Sequence, residues 1–578
     1  MREENGAYVL HTALTPLAIP STLHDSLTAR LDRLSPIKET AQIGAAIGRE
    51  FSQALLEAVS PIKGAALDEA LRQLIDAELI HTRGGQPNAS YVFKHALVQD
   101  AAYGSLLRSR RQRIHAHIAW ALKQRLTDEE YPPATIAHHY TEAGLSEPAA
   151  QSWLAAAELA LAQSAPVEAE RHASTGLALI PNIEAGAGRD ALELGLMVAR
   201  ANALVPLKSI SAPETFAALM AAKELVDKGI GTDLQRVSVL YGLCSSSTLT
   251  ARLKQALDFA YQIIDVAEQQ NDPAYQLVGY RQLGTLQFYA GNFRDALANL
   301  QKGHAYRDVR RQKALSYRFG WDQGVAIQSF EVLVRLSLGL LDSAARLGAQ
   351  VRSELSSHGH ATTIASATFC VTVWPQFALR DIAALERDSA ELSAYCAEKK
   401  VEQIRLLAVL LGACAGAMRE PTEGRIDSIR KALVALRQSG GNTGNSILLS
   451  NIAEAFLIAG DVAGAEAALH DGFAFVEQSG EQYWLADLHR LSGQSALLRA
   501  QPDRARAEAC FTKAIAVARS QEARLLELRA ATDLARLWRG GRPNGDVRGL
   551  LEPILAGIEG GETARDVRDA RTLLAELG

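Results

Sequence analysis

A small side chain that recurs about every 42 residues constrains the fold of this sequence more than any other feature. Each recurrence is followed by a small or apolar residue at the fourth and seventh positions, which lie on one face of an α-helix. Most intervals are 37 to 48 residues, and one of 84 corresponds to two periods. The triplets begin at Ala169, Thr215, Ala256, Ala296, Ala344, Ser428, Ala465 and Ala507, and the last continues with Phe511 and Ala514. The pattern predicts a repeated helical unit.

Other residues keep the same register. They are Trp153 and Pro181 around the first triplet, Leu283 and Gly284 before Ala296, and Gly291, Gly339 and Gly460, each five residues before a triplet. These positions match the tryptophan, Leu-Gly, turn, small-residue and proline positions of the tetratricopeptide motif. Small residues let the second helix of a pair approach the first, and stacked pairs bury a continuous core. We therefore predict an α-solenoid over 134–578, with about ten helix pairs of period about 42 rather than 34.

The region 21–130 has a different pattern. A helix is predicted from Ser21, a second begins at Pro36 and ends at Gly48, and two more precede Glu78. Two short β-prone runs then flank the turn-rich segment RGGQPN, and two further helices follow. Helices followed by a hairpin predict a small winged-helix-like domain, so the whole chain is predicted to be mostly α.

Composition excludes several classes of protein. Of 578 residues, 48% are apolar and 22% charged, which is enough to form a folded core. Sixty basic and 65 acidic side chains leave a net charge of −5, which argues against a surface that coats nucleic acid or an anionic membrane. The N-terminus lacks the apolar core of a signal peptide, and the most apolar stretch, 406–418, is too short to span a bilayer. We expect a soluble cytoplasmic protein with no membrane partner.

Cysteine and histidine spacing gives no metal or disulfide pattern. The five cysteines are far apart and form no C-x-x-C pair, which indicates buried thiols in a reducing compartment. The histidines at 115 and 117 and at 138 and 139 lie on predicted helices without a carboxylate placed to complete a metal site. We interpret them as surface or core residues.

Catalytic motifs are also missing from the sequence. It contains no G-x-x-x-x-G-K-[ST] phosphate loop, no H-E-x-x-H and no G-x-S-x-G. The glycine-containing segment GGNTGN, at 440–445, has no lysine after it and is interpreted as a loop between helix pairs. We therefore predict no catalytic residues in this chain and expect that it is not itself an enzyme.

A nucleic-acid partner is not expected. The helix in the position of a recognition helix carries four acidic residues against one arginine: Asp68, Glu69, Asp76, Glu78 and Arg72. Such a face repels phosphates. A basic cluster follows the hairpin at Arg108, Arg110, Arg111 and Arg113. This cluster could touch nucleic acid, but a solvated helix start or an interdomain contact is the favoured interpretation.

Several segments resemble one bacterial protein class. They are IPSTLHDSLTARLDRL, AQIGAAIGREF, YVFKHALVQDAAYGSLLRSRRQRIHAHIAWAL and AHHYTEAGL, with FGWDQGVA and EQYWLADLHRLSGQ further on. They are similar to the signal-transduction ATPases with numerous domains, in which a class III nucleotide cyclase is often followed by an AAA-type ATPase, a winged helix and tetratricopeptide repeats. The resemblance begins near Leu17 and covers nearly all of the chain. Residues 1–20 resemble the end of the ATPase module.

The resemblance implies roles that this polypeptide does not contain. The cyclase and the ATPase phosphate loop would lie upstream, so ATP or ADP is implied only for that module and no cofactor is expected here. A histidine near the end of the winged helix touches the nucleotide in such ATPases, and His95 stands at the matching position, with Lys94 and Arg108 as weaker candidates for the same surface. Alternatively, His95 caps the following helix or fills the hairpin interface.

Two functional hypotheses follow. In the first, the chain is a regulatory scaffold whose repeats bind a protein or peptide and whose winged helix relays that binding to an upstream ATPase or cyclase module. In the second, it is a fragment of a LuxR-type ATP-binding transcription regulator, a class that ends in a helix-turn-helix. The last forty residues indicate a terminal helix pair without a recognition helix, which favours the first hypothesis. A third, that the chain is itself an enzyme, has only the family resemblance behind it.

Overall fold

The protein is described from a computed structural model that covers residues 2–4, 7–9, 31, 37–85, 89–124, 131–308, 319–439, 444–539 and 546–576. The described chain is mostly α-helical, in agreement with the sequence. It divides into two compact units, residues 1–207 and 208–578, and each is described by itself. None of the helices in the described ranges combines the length and hydropathy needed to cross a bilayer.

The first unit begins with strands and short helices. Strands β1 (Arg2–Glu4) and β2 (Ala7–Val9) form an antiparallel pair, and a separate three-stranded antiparallel sheet has β3 (Glu50–Ser52) and β4 (Ile80–Arg83) on either side of β5 (Ser90–Phe93). The helices of this part are α1 (Lys38–Ile47), α2 (Gln53–Val59), α3 (Ala65–Asp76), α4 (Ala96–Gly104) and α5 (Arg108–Gln124). The predicted helix–hairpin–helix order is therefore present.

Local sequence explains these elements. Ser52 caps α2, since its side chain accepts from the backbone N–H of Leu55 at 3.1 Å. Gly44 lets α1 approach the sheet, because a Cβ there would lie 2.8 Å from the ring of Phe51. Strand β3 was not predicted. The helix predicted from Ser21 and the ATPase remnant at 1–20 lie outside the described residues, apart from Leu31 and the two N-terminal strands.

Helix pairs begin within the first unit. They comprise α6 (Pro133–Glu142), α7 (Ser146–Ala162), α8 (Pro166–Leu177) and α9 (Ala187–Lys208), with a short 3₁₀ turn at Ile180–Asn182. The indole N–H of Trp153 donates to Thr141 at 3.0 Å, and its ring stacks on His172. Ala169 is fully buried in α8, and Pro181 lies exposed in the 3₁₀ turn.

The second unit consists of helices throughout its described residues. They are α10 (Pro213–Asp227), α11 (Asp233–Leu249), α12 (Leu253–Gln270), α13 (Pro273–Tyr289), α14 (Phe293–His304), α15 (Gln323–Ser337), α16 (Leu341–Leu355), α17 (Ala361–Thr368), α18 (Trp374–Ala378), α19 (Ile382–Lys399), α20 (Glu402–Arg419), α21 (Glu423–Gln438), α22 (Asn445–Ile458), α23 (Val462–Ser479), α24 (Leu485–Leu498), α25 (Arg504–Gln521), α26 (Arg524–Arg539), α27 (Val547–Ala556) and α28 (Arg565–Ala575). Sequential helices pack on one another, as expected of a repeat array.

Turn glycines and small residues shape the pairs. Gly291, Gly339 and Gly460 have φ of +81°, +79° and +80°, a backbone conformation that glycine adopts at low cost. Inside α13, a Cβ at Gly284 would lie 2.7 Å from Leu300 of α14. The buried small or apolar positions of the second helices include Ala296, Ala344, Ala465, Ala507, Phe511 and Ala514, with Leu283 buried on the facing first helix.

One detail of the predicted register is wrong, and one repeat implied by the interval of 84 residues had no anchor in the sequence. The predicted triplet was Ser428, Ala432 and Ala435; Ala432 is buried, but Ser428 is exposed, and α21 buries Ile429 and Leu436, each one residue later than predicted. The repeat that the sequence did not reveal between 344 and 428 does exist. Its first helix runs from α17 through a π-helical segment at Phe369–Val373 into α18, and its second helix is α19. α19 does bury residues at the triplet spacing, Leu385, Ser389 and Leu392, but the first of them is a leucine and not a small residue, so the small-residue pattern did not mark it.

Candidate binding surface on the inner faces of the helix pairs

The first helices of several pairs in the second unit are buried on every side. In α22, each residue from Ser446 to Leu457 is buried, and α13, α15 and α26 are enclosed in the same way. A helix at the inner surface of an open array would leave one face in water. The inner faces of these helices therefore pack against other parts of the same unit.

Backbone contacts show which repeats meet. The N–H groups of Gln482 and Tyr483 both donate to the carbonyl of Tyr289, at 2.8 and 3.2 Å. Leu341 donates to the carbonyl of Glu559 at 3.0 Å, although 218 residues separate the two. The array of helix pairs thus returns on itself, and its early turns contact its last ones.

An aromatic cluster fills part of the enclosed space. The ring of Phe288 lies 5.0 Å from that of Tyr483 and 5.9 Å from that of Trp374. Tyr289 and Tyr483 approach edge to face at 5.5 Å. Such contacts bury large apolar areas and hold α13, α18 and the loop before α24 together.

A network of buried charges lies further along the inner surface. It joins three arginines and four carboxylates from four helices and one turn: Arg380, Glu454, Asp487, Arg490, Arg529, Asp533 and Asp566. We call this set the inner charge network. Arg490 is its centre, with Asp487 at 2.6 Å, Asp533 at 3.2 Å and Glu454 at 3.5 Å.

The arginines of the network lower the pKa of two of its carboxylates. Burial acts to raise the pKa of Asp487, but the guanidinium groups of Arg490 and Arg529 outweigh it and hold that pKa below its ordinary value. The pKa of Glu454 is also lowered, because Arg380 and Arg490 overcome the effect of burial. Hydrophobic residues of similar size would stabilise a fold equally well, so buried ion networks are often retained for specificity or switching.

A buried glutamate holds the start of α22. The carboxylate of Glu481 accepts from the backbone N–H of Gly444 at 2.9 Å and from the N–H and hydroxyl of Ser446 at 3.1 and 2.6 Å. Burial raises the pKa of Glu481 to about 7 despite these hydrogen bonds. It borders a cavity of about 10 Å³ beside Tyr289 and Leu253, which has room for one water at most.

The sequence did not identify the inner charge network as functional. Charged residues on a predicted helix usually form its solvated face. Asp487 and Arg490 lie in EQYWLADLHRLSGQ, a segment whose only earlier signal was its resemblance to the ATPase class. The available clue was that these charges interrupt an otherwise apolar face.

The predicted nucleotide-sensor residues lie on the surface of the first unit. His95 occupies the N-cap position of α4 but makes no capping hydrogen bond through its side chain, and it is exposed. This geometry contradicts the alternative in which His95 caps the helix or fills the hairpin interface. Lys94 is exposed and lies 3.5 Å from Glu78, and Arg108 is exposed at the start of α5.

Two of the four histidines noted in the sequence form a buried pair. Nδ1 of His115 and Nδ1 of His139 are 2.8 Å apart, and the hydroxyl of Tyr103 lies 2.9 Å from Nε2 of His115. Burial lowers the pKa of His115 to about 4 and that of His139 to about 3. The described residues contain no group of histidine, cysteine and carboxylate side chains arranged to hold a metal ion.

Comparison with known proteins gives remote relatives. No family description matches the chain. An uncharacterized protein of Rhizobium meliloti (strain 1021) is 24% identical over 525 residues, which are 89% of this chain and 50% of that protein. The chain therefore spans about half the length of the curated relative that it matches.

Three solved structures are similar to parts of the chain. One is a signal-transduction ATPase with numerous domains and a tetratricopeptide repeat sensor from Pyrococcus horikoshii, at 11% identity and a TM-score of 0.42 over 80% of this chain and 67% of that one. A second is a Rap protein complexed with competence and sporulation factor, which is 12% identical, with a TM-score of 0.40 over 72% of this chain and 99% of that one. The third is the apo quorum sensor NprR from B. thuringiensis, which is 12% identical, with a TM-score of 0.31 over 70% of this chain and 98% of that one.

Proposed function

We propose that this chain is a regulatory scaffold that binds a protein or peptide through the inner faces of its helix pairs. The observation that carries the proposal is the inner charge network. Three arginines and four carboxyl side chains meet where a purely structural array would bury aliphatic residues, and stability alone does not require them. Charged groups that satisfy one another in the absence of a partner can exchange those contacts for a partner's charges.

Exchange of this kind gives regulation. A partner that pairs with Arg380 or Glu454 favours an array opened between its early and late repeats. The equilibrium between the closed and open arrays shifts only by as much as the partner's affinity for the open array exceeds that for the closed one. The closed arrangement described above is then the resting state. In this proposal the chain acts by binding and not by catalysis.

The winged-helix-like region would relay the change. Its resemblance to the multidomain signal-transduction ATPases supports a place between the repeats and an upstream ATPase or cyclase module. His95 is exposed and available to such a module. In a longer protein that includes the ATPase, His95→Ala is expected to raise basal ATP turnover, whereas His81→Ala, an exposed histidine on β4, should leave it unchanged.

A selection experiment tests the binding proposal. A peptide library is panned against the full chain, and hydrogen exchange of the complex maps what the selected peptides protect. We expect peptides of one charge pattern that change exchange in α22, α24 and α26. Selection without a common pattern, or protection restricted to the outer helix α25, would contradict binding at the inner faces.

A further inference from the structure

Arg281 differs from the other buried arginines of the second unit. It lies in the middle of α13, and 5% of its surface is exposed. Arg490 and Arg529 are as deeply buried, and each contacts two or more carboxylates. Within the described residues, no carboxylate lies within 4.0 Å of Arg281. A buried guanidinium without a counter-ion destabilises the isolated chain, because the charge loses its hydration and gains no opposite charge in return.

Two neutral groups hold the side chain of Arg281 in position. Its Nε donates to the amide oxygen of Gln323 at 2.9 Å, and its Nη2 donates to the hydroxyl of Tyr241 at 3.0 Å. Both acceptors are themselves fixed: Gln323 donates to the carbonyl of Trp321 at 2.9 Å, and Tyr241 donates to that of Phe319 at 2.6 Å. The guanidinium is therefore oriented by α11 and α15, the first helices of the pairs on either side.

Part of its donor capacity is unused. A guanidinium has five N–H donors, and Nη1 of Arg281 donates to none of the described residues. One turn further along α13, the buried hydroxyl of Thr285 also has no hydrogen-bond partner. Residues at i and i+4 share a helix face, so the two sets of unused donors lie together.

Two ionisable groups on which the charge of Arg281 acts do not neutralise it. Burial raises the pKa of Cys244 to about 12, although the charge of Arg281 acts to lower it. Burial also raises the pKa of Tyr289 far above its ordinary value against the same opposing charge. Both groups are neutral at pH 7. The carboxylate of Asp322, beside Gln323, accepts a hydrogen bond from the backbone N–H of Val325 at 2.9 Å.

We propose that Arg281, with Thr285 and Gln323, binds a carboxylate of the peptide or protein partner. The terminal Nη1 and Nη2 atoms can donate two parallel hydrogen bonds to one carboxylate, and Thr285 can donate a third. A carboxylate is favoured over a phosphate because a single cation balances its single charge. The site lies on the inner faces of α11, α13 and α15, so it deepens, and rests on, the proposed binding function.

Saturation-transfer NMR with N-acetylglycine tests the site without a selected partner. This probe carries one peptide-like carboxylate, and N-acetylglycinamide is its neutral match. At equal ionic strength, we expect saturation transfer from the full chain to the acetyl methyl group of the acid. The transfer to the amide should be about tenfold weaker. Equal signals from the two compounds would overturn the proposal. It would also be overturned if inorganic phosphate displaced the acid more strongly than unlabelled acetate does.

Variants locate the signal. Arg281→Met should remove the transfer, and Arg281→Lys, which keeps the charge but loses the fork, should weaken it about tenfold. Arg405→Gln, which changes a half-buried arginine paired with Glu402 on α20, is the matched control and should retain it. Transfer that persists in a folded Arg281→Met chain contradicts the assignment. These outcomes do not depend on whether peptide selection succeeds, so failure of the carboxylate site and failure of the binding function can be told apart.

Discussion

The guanidinium of Arg529 donates a hydrogen bond to the backbone carbonyl of Ala378 at 2.6 Å, across 151 residues of sequence. The same side chain pairs with Asp566 at 2.9 Å. One arginine on α26 therefore holds the end of α18 and the start of α28 together. It links the middle of the second unit directly to its last helix pair.

Removal of this link should loosen the closed array. We expect Arg529→Gln to lower the free energy of unfolding of the second unit by about 3–5 kcal/mol, because Asp566 and Asp487 would be left buried with fewer partners. Arg536→Gln, on the exposed face of the same helix, should cost less than about 1 kcal/mol. Urea unfolding followed by hydrogen exchange of α26 and α28 measures the free energy of unfolding of both variants. Equal losses of this free energy in the two variants would contradict the special role of Arg529.

The buried histidine pair predicts acid sensitivity in the first unit. A histidine whose folded pKa is depressed binds a proton more readily when unfolded, so stability is lost as the pH falls below about 6.5. With the pKa of His139 at about 3, the loss between pH 7 and pH 4 is about 3 kcal/mol from this residue. The groups facing the pair are Tyr103, Arg111, His138 and Glu142.

The measurement compares two histidine variants. His139→Gln keeps hydrogen-bonding capacity but cannot titrate, so acid unfolding of α5 and α6 should become less steep. His117→Gln, an exposed residue on α5, should follow the wild type. Hydrogen exchange of α5 across pH 4–7, corrected for intrinsic rates, reports the difference, and parallel profiles for the two variants would argue against the pair as the cause.

Repetitive features were predictable from sequence because they depend on local geometry. Gly291 and Gly460 were identified as turns since a positive φ there needs glycine. Ser428 was assigned wrongly because it directly precedes the buried Ile429, and a triplet shifted by one residue still includes the buried Ala432. Strand β3 is only three residues long, too short to establish an alternating pattern.

The candidate site could not be predicted in the same way. Arg490 and Asp533 are 43 residues apart, and each alone has the appearance of a solvated helix residue. Only the return of the array on itself brings them together and excludes water. The missing counter-ion of Arg281 is likewise visible only in three dimensions, because sequence shows neither burial nor pairing.

Close packing at Gly284 makes a strong test of the repeat geometry. An alanine there would place its Cβ 2.7 Å from Cγ of Leu300 and 3.1 Å from the carbonyl oxygen of Ala296. We expect Gly284→Ala to destabilise the second unit by about 1–3 kcal/mol through overpacking, in spite of alanine's better helix propensity. At Gly424 in α21 nothing lies within 4 Å, so Gly424→Ala should be neutral or stabilise by up to about 1 kcal/mol. Thermal unfolding should show shifts of opposite sign, and equal shifts would mean that α13 and α14 are not in close contact.

Asn451 on α22 offers a stabilising substitution. Its side chain is 1% exposed, and neither atom of its amide has a hydrogen-bond partner in the described chain. A buried amide without partners costs about 1–3 kcal/mol, so Asn451→Leu should raise the free energy of unfolding by about 1–2 kcal/mol. The adjacent Ser450→Ala should have the opposite effect, since it removes the 2.6 Å hydrogen bond from Ser450 to Asp487. If Asn451→Leu raises stability but abolishes the binding of selected peptides, the unused amide is part of the partner's site. A loss of stability would instead show that Asn451 has a structural partner, such as a buried water.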